Sequence, residues 1–314
     1  MTEAAYYLPK ELSKIIEIHK PDNIGLFLSK YVHFTIGKKE NKSEVKKAKL
    51  EDAVKKYGKY KFGVPEKAID LYKFYLESLK IQNAIKFKIK TKSRLIVGLG
   101  QESVYETSIR LHRNYGVPII PGSALKGIAK HYAVEKLAET NWKLLVSGFE
   151  NEFATLKLEK GMYGSMGLIQ HAFDKSKKLL EVLKGLKAKL DSGDLITVEE
   201  VAEIFGTIGQ EGGVIFFDAL PEPDSLQDVF ELDIMNPHYQ PYYSGSEPPG
   251  DWFDPNPIFF LTVREDVDFN FWIGLRRECN TNLLEKTKIL LIEALKEVGV
   301  GAKTSLGYGR FKEG

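Results

Sequence analysis

The run Ala84-Ile-Lys-Phe-Lys-Ile-Lys90 decides the fold class. Ile85, Phe87 and Ile89 alternate with Lys86, Lys88 and Lys90, which is the period-two signature of a strand with one buried and one cationic face. Upstream, residues 21–80 read as helices with lysine-rich polar faces, clearest over 65–79, where Ile69, Tyr72, Leu76 and Leu79 recur at helical spacing. Downstream, Gly98, Gly100 and Gly116 mark a loop. Val117-Pro-Ile-Ile-Pro-Gly-Ser123 closes a short apolar segment, and 124–137 reads as a helix with Ser123 as its N-cap. Residues 141–210 read as further helices, among them a lysine-rich amphipathic one at 174–190. Thr197-Val-Glu-Glu200 forms a capping box before Val201, Ala202, Ile204 and Phe205. Strands return at 213–220, 229–235, 257–264 and 267–275, with Glu265-Asp266 in a hairpin turn. Between the second and third lies a long loop, 236–256, rich in Pro, Gly and Tyr. An amphipathic helix at 283–298 and a final strand at 309–312 complete the chain. This order predicts an α+β fold, an antiparallel sheet with helices on one face in an elaborated split βαβ arrangement. Residues 1–83 are expected to form an N-terminal helical region, and 84–314 a domain with a helical insertion at about 141–210.

The 314 residues are 43% hydrophobic and 28% charged, which excludes disorder over the whole chain. No run approaches the roughly 18 to 20 apolar residues of a spanning helix, and residues 1–10 carry no leader pattern, so a cytoplasmic protein without a membrane partner is expected. The one cysteine, Cys279, cannot build an internal disulfide or a thiolate metal cluster. No cofactor and no metal are expected. Charge is uneven along the chain: residues 1–83 carry 17 basic against 11 acidic side chains, 84–210 carry 19 against 14, 211–270 carry 1 against 13, and 271–314 carry 8 against 5. Such a chain can offer a positive surface to a polyanion and a separate negative face to a basic partner.

Two segments carry most information. The first is Gly299-Val-Gly-Ala-Lys-Thr-Ser-Leu-Gly-Tyr-Gly-Arg-Phe311. Gly299, Gly301, Gly307 and Gly309 allow positive φ and close backbone approach, while Lys303, Thr304 and Ser305 offer a charge and hydroxyl donors, a combination suited to phosphate. It is neither a Walker loop nor GxGxxG, because a helix precedes it and the glycine spacing differs. A helix C-cap with a tight turn would explain Gly299 or Gly301 but not all four. The second is Tyr115-Gly-Val-Pro-Ile-Ile-Pro-Gly-Ser-Ala-Leu-Lys-Gly127. A helix starting at Ser123 presents amide donors at its positive end, and Lys126 in the first turn is unfavourable for the helix unless an anion compensates it.

These residues resemble the RAMP superfamily of CRISPR proteins. The C-terminal loop fits its pattern G-apolar-G-x-x-[S/T]-x-x-G-x-G-x-apolar. Ile120-Pro-Gly-Ser-Ala-Leu-Lys-Gly127 is similar to its first helix start, and Phe205-Gly206 with GGVIFFDALP ending at Pro221 is similar to its middle motif. Asn236-Pro-His-Tyr239 with Tyr242-Tyr243 resembles one subunit family of the type III-B (Cmr) effector. The resemblance covers roughly 84–312. It implies a ferredoxin-like, RRM-related sheet with helical insertions, in a non-catalytic subunit of a guide-RNA ribonucleoprotein. The implied partners are the CRISPR guide RNA near its 3′ side, neighbouring Cmr RAMP subunits and, through the complex, target RNA. It places Ser123, Lys126, Gly299, Gly301, Lys303, Thr304, Gly307, Gly309 and Arg310 at guide phosphates. The cationic face of the first strand and its surroundings, Lys86, Lys88, Arg94 and Arg113, fits the same role from charge alone. Backbone contact is what a protein needs when base pairing reads the sequence.

Catalytic chemistry is less well supported. Histidines 19, 33, 112, 131, 171 and 238 show no ligand spacing, although His112 beside Arg113 could serve a metal-independent endoribonuclease that processes precursor RNA. Asp218, Asp233, Asp251, Asp254, Asp266 and Asp268 are spread over several strands and turns, so a solvated or partner-facing acidic surface is expected rather than a magnesium site. Tyr239, Tyr242, Tyr243 and Trp252 could stack on bases, meet a neighbouring subunit, or pack within their own loop.

Overall fold

The computed structural model describes residues 4–6, 33–39, 42–47, 61–81, 83–101, 103, 107–237, 239–250, 252–255, 257–276 and 282–313. Its centre is an antiparallel sheet whose elements run in chain order β1 (Ala84–Thr91), α1 (Gly122–Gly148), β2 (Val214–Phe216), β3 (Asp268–Leu275), α2 (Asn282–Glu297) and β4 (Phe311–Lys312), with strands side by side as β2-β3-β1-β4. Leu220–Pro221 also pairs with β3. The period-two reading of β1 holds. Phe87 faces Phe271 and Ile89 faces Phe269 across the β1–β3 ladder, and the Phe87 and Phe271 rings stack at 5.4 Å. Phe311 of β4 stands edge-on to Phe271 at 5.7 Å. Phe269, Phe271 and Phe311 are fully buried, so truncating Phe271 to Ala would cost about 3–5 kcal/mol. On the other face Lys86 and Lys88 lie opposite Trp272 and Asn270.

Helix α1 runs through 27 residues, far beyond the expected 124–137, because Leu125, Ala129, Ala133 and Leu137 continue a buried stripe at i, i+4 spacing into Leu145. The insertion that follows is helical in Glu150–Thr155, Met162–Lys175, Lys177–Leu183 and Val198–Phe205. The capping box at Thr197 is present with both reciprocal bonds. The helix expected over 174–190 is broken. Ser176 caps a new helix by accepting from the Leu179 amide, Gly185 takes φ +88°, and Lys187–Lys189 pairs with Leu195–Thr197 as a hairpin. That hairpin's turn is held by buried Glu293 of α2, which accepts from the amides of Asp191 (3.2 Å) and Ser192 (2.7 Å) and from the Tyr132 hydroxyl (3.0 Å).

A second sheet orders Ile258–Val263, Phe230–Met235 and Lys61–Phe62, and a bridge from Leu95 to Val263 ties it to the first. The helix read at 65–79 is Glu66–Ser78. It buries Ala68, Ile69 and Tyr72 in the core shared with residues 84–311, and the Tyr72 hydroxyl donates to the Pro221 carbonyl at 2.7 Å. The other described residues of the N-terminal region depart from an all-helical reading: Ala4–Tyr6, His33–Lys39 and Lys42–Lys47 form a three-stranded antiparallel sheet, while the helices read over 21–32 and 48–60 lie outside the described residues. In 33–39 the β-branched and aromatic residues Phe34, Thr35 and Ile36 outweigh the lysines that suggested a helical polar face. Among the described residues no helix is long and apolar enough to cross a membrane.

Candidate nucleic-acid interface

The glycine loop folds back on the segment after β1. Val300 donates to the Gly309 carbonyl (2.9 Å), Gly309 to the Arg94 carbonyl (2.8 Å) and Ala302 to the Ile96 carbonyl (2.7 Å). A Cβ on Gly301 would stand 2.2 Å from the Ile96 oxygen, and one on Gly309 2.0 Å from the Val300 oxygen. All four glycines have positive φ, and Gly307 alone faces open space. Backbone closure of the loop on itself and on residues 94–97 accounts for Gly299, Gly301 and Gly309, whereas Gly307 stands clear of such contacts. What the loop offers outward is the turn Thr304–Leu306 with exposed Ser305, Leu306 and Gly307. Lys303, in the left-handed region at φ +61°, holds its Nζ 5.1 Å from the Phe260 ring and forms no ion pair among the described residues. Arg310 turns inward, its Nη1 enclosed without a hydrogen-bond partner and its amide donating to Ser93 Oγ at 3.0 Å.

The cations on and around β1 are engaged by the acidic segment. Lys88 pairs with Glu222 at 3.0 Å, and that hydrogen bond raises its ammonium pKa. Lys90 meets Asp268 at 3.7 Å, Lys312 meets Asp266 at 2.7 Å, and Lys86 lies 5.5 Å over the Trp272 ring. Arg94 makes two parallel bonds to Glu231 (3.1 and 3.2 Å) and a third to Asp233 (2.8 Å), where the Tyr308 hydroxyl also donates at 2.6 Å. Burial pushes Asp233 upward, but the bonds from Tyr308, the Ile234 amide and Arg94 hold its carboxyl below its ordinary value. Lys88 and Arg94 are thus compensated by carboxylates of the same chain, and Glu222, Glu231, Asp233, Asp266 and Asp268 turn to the chain's own cations, while Asp224, Asp228, Asp254 and Glu265 are exposed. Asp251 and Cys279 lie outside the described residues.

The start of α1 is built differently from the sequence reading. The N-cap is Pro121, Gly122 is the first helical residue, and its amide donates to Asp218 Oδ1 at 2.8 Å; Ser123 is exposed in the first turn and caps nothing. A proline with fixed φ can open a helix, and Asp218 supplies the acceptor that Ser123 was expected to give. Gly122 is required because a Cβ there would stand 2.0 Å from the Phe216 oxygen. Lys126 is half-buried and forms no ion pair among the described residues. Burial, then Lys130 and Arg276, lower its ammonium pKa against an opposing pull from Glu211. Lys130 and Arg276 were missed from the sequence. Lys130 was legible as the i+4 neighbour of Lys126, whereas nothing local pointed to Arg276.

Main-chain bonds link the two motifs. Ala302 donates to Ile96, Arg110 to Val97 (2.7 Å), and Ile119 to Arg110 (3.3 Å), two residues before the α1 cap. Exposed Arg110 thus sits between them, with exposed Arg113 nearby. His112 packs between the rings of Tyr75 (5.5 Å) and Tyr115 (5.0 Å); burial lowers its pKa and the Asp218 charge opposes this. In the 236–256 loop Tyr242, Tyr243 and Trp252 are exposed. Among the described residues no three His, Cys, Asp or Glu side chains gather as a metal site would require.

Residues 88–312 match the RAMP superfamily, and the chain belongs to it. It is 45% identical over 277 residues to the CRISPR system Cmr subunit Cmr6 of Pyrococcus furiosus, covering 81% of this chain and 76% of that one. Among solved structures it is similar to the crystal structure of Pyrococcus furiosus Cmr6, with 44% identity over 74% of this chain and 97% of that one and a TM-score of 0.48. It is also similar to a chain of the type III-B Cmr-beta assembly bound to cognate target RNA, with 21% identity over 79% of this chain and 64% of that one and a TM-score of 0.46.

Proposed function

We propose that the chain is a non-catalytic RNA-binding scaffold subunit of a cytoplasmic type III-B CRISPR (Cmr) ribonucleoprotein for antiviral defence. In this role it contacts the guide-RNA backbone toward the 3′ side, abuts neighbouring Cmr RAMP subunits, and meets target RNA only through the complex. The observation that carries this is the 45% identity to a Cmr6 subunit across four fifths of the chain. The strand order β2-β3-β1-β4 with helices after β1 and β3 supports reading the sheet as ferredoxin-like and RRM-related, and the family match over 88–312 supports taking 84–314 as the domain. Lys126, Ser123, Lys303, Thr304 and the exposed Gly307 are the groups available to phosphate, while Gly299, Gly301, Gly309 and Arg310 shape the loop that presents them. Guide contact through phosphate leaves the bases free to pair.

The test is a tagged pull-down of the assembly at moderate salt, with mass spectrometry of proteins and sequencing of bound RNA. Several RAMP subunits with guide RNAs sharing a repeat-derived 5′ tag are expected, and Lys303→Ala should recover less guide. A solitary chain without RNA would reject the reading. A second reading, a metal-independent endoribonuclease, draws on half-buried His112 with the Asp218 charge acting on it. It requires cleavage of precursor RNA in EDTA by the purified chain and its loss in His112→Ala; intact RNA rejects it.

A further inference from the structure

We propose that the pocket between the early turns of α1 and the hairpin at 206–211 seats one internucleotide phosphodiester of an RNA strand together with its ribose. This rests on the RNA-binding reading and adds a seat apart from the C-terminal loop. The pocket has a volume of about 430 Å³, and Lys126, Lys130, Thr207, Ile208, Gln210 and Arg276 line it. Three elements fix it. Lys126 and Lys130 stand one turn apart on α1, Arg276 follows the last residue of β3, and the opposite wall is the Gly206–Thr207/Gln210–Glu211 hairpin. The hairpin is anchored by the Ile208 amide on the Phe173 carbonyl (3.0 Å) and the Gly213 amide on the Glu203 carbonyl (2.7 Å). Gly206 has φ +84°, and a Cβ there would stand 2.6 Å from the Gly212 nitrogen, so this wall is built to one shape.

Charge counting selects the ligand. Lys130 is paired with Asp174 at 2.7 Å and Arg276 with Glu211 at 3.0 Å, whereas Lys126 has no carboxylate. Three cations against two carboxylates leave one positive charge in excess, which a singly charged phosphodiester balances. A doubly charged terminal phosphate would push against Asp174 and Glu211. A partner's single carboxylate carries the right charge but would leave most of the volume unfilled. Thr207 and Gln210 add hydroxyl and amide groups suited to a 2′-hydroxyl, and Ile208, 43% exposed, gives a ribose an apolar side. Lys126 is already depressed by burial and by its two cationic neighbours, a cost that a bound anion would relieve.

The test uses the full chain and a fluorescent single-stranded RNA carrying 4-thiouridine, titrated over a salt series. Lys130→Gln and Arg276→Gln should each weaken binding about tenfold and lower the salt slope by roughly 0.7, the value for one phosphate contact on a single strand. Asp174→Asn should tighten binding several-fold. Crosslinks should fall on the peptide holding Thr207 and Gln210, and the melting temperature of each variant reports its folding. Unchanged affinity in both cation variants, with no crosslink on that peptide while Lys303→Ala still weakens binding, would overturn the pocket and leave the scaffold reading standing. Variants that bind RNA normally but lose a neighbouring subunit would overturn it in favour of a protein carboxylate. No RNA binding by the unaltered chain at 50 mM salt, a condition set near the low end of the range over which such binding is strong, would overturn both.

Discussion

The face of β1 and the pocket beside α1 both hold clustered cations, yet the two differ in what those cations can still do. On β1 the lysines recur every second residue and each has a partner: Glu222 for Lys88, Asp268 for Lys90, the Trp272 ring for Lys86, with Arg94 doubly held just beyond. Beside α1 there are fewer cations, but Lys126 is left without a carboxylate and is crowded by two like charges. Density of positive charge in a sequence therefore says little about affinity for a polyanion. A paired surface lysine must first give up its carboxylate, whereas an uncompensated half-buried one gains on meeting an anion.

The largest effect that separates the two regions is on RNA affinity. Lys126→Glu reverses the excess charge of the pocket and should weaken guide binding about a hundredfold near 0.1 M salt, whereas Lys88→Glu should change it less than threefold, both read by fluorescence anisotropy. Equal losses would show that the β1 face binds RNA despite its pairing, and the distinction would collapse. Next in size is a stability effect on the paired side. Arg94→Ala removes the two bonds to Glu231 and the one to Asp233, carboxylates largely shielded from water, and should cost about 2 kcal/mol in urea unfolding, a value discounted because the guanidinium is 37% exposed. Guide affinity of that variant should stay within about twofold, as expected when no phosphate contact is removed. Lys126→Ala should do the reverse, weakening RNA binding while leaving stability unchanged or slightly raised, because two like charges lose their neighbour.

The legible and illegible parts of the molecule divide along the same line. Local patterns were readable: the alternation of β1, the capping box at Thr197 and the helix over 283–298 all appear within a residue or two of their expected bounds. Features set by distant partners were not. Ser123 looks like an N-cap, but Asp218, 96 residues away, takes the Gly122 amide. Arg94 looks like a free cation, but its carboxylates lie 137 and 139 residues on. The glycine pattern located the loop but could not name what the backbone approaches, because close approach of backbone to backbone, as at Gly301 and Gly309, leaves the same signature as close approach to a ligand. The site half-appeared for the same reason: Lys126 was visible in its motif, while Arg276 reaches the pocket only through the register of β3.

The smallest expected effect is on pH dependence, and it tests whether the paired region is held by the bonds that define it. Asp233 sits below its ordinary carboxyl value in the folded chain, so the unfolded chain binds its proton first as pH falls. Its contribution is therefore complete at neutral pH, starts to fade below the unfolded carboxylate value near about 4, and is gone below the folded one. The chain should lose stability in that window, and Arg94→Ala, which removes part of what depresses Asp233, should show a shallower loss there, measured as melting temperature between pH 6 and 3. Tyr308→Phe should flatten the same window, since the Tyr308 hydroxyl is the leading bond opposing burial at Asp233. Lys126→Ala touches no depressed carboxylate and should leave the acid limb unchanged. If it altered that limb as much as Arg94→Ala, the two regions would be electrostatically one, and the contrast between compensated and uncompensated cations would have to be abandoned.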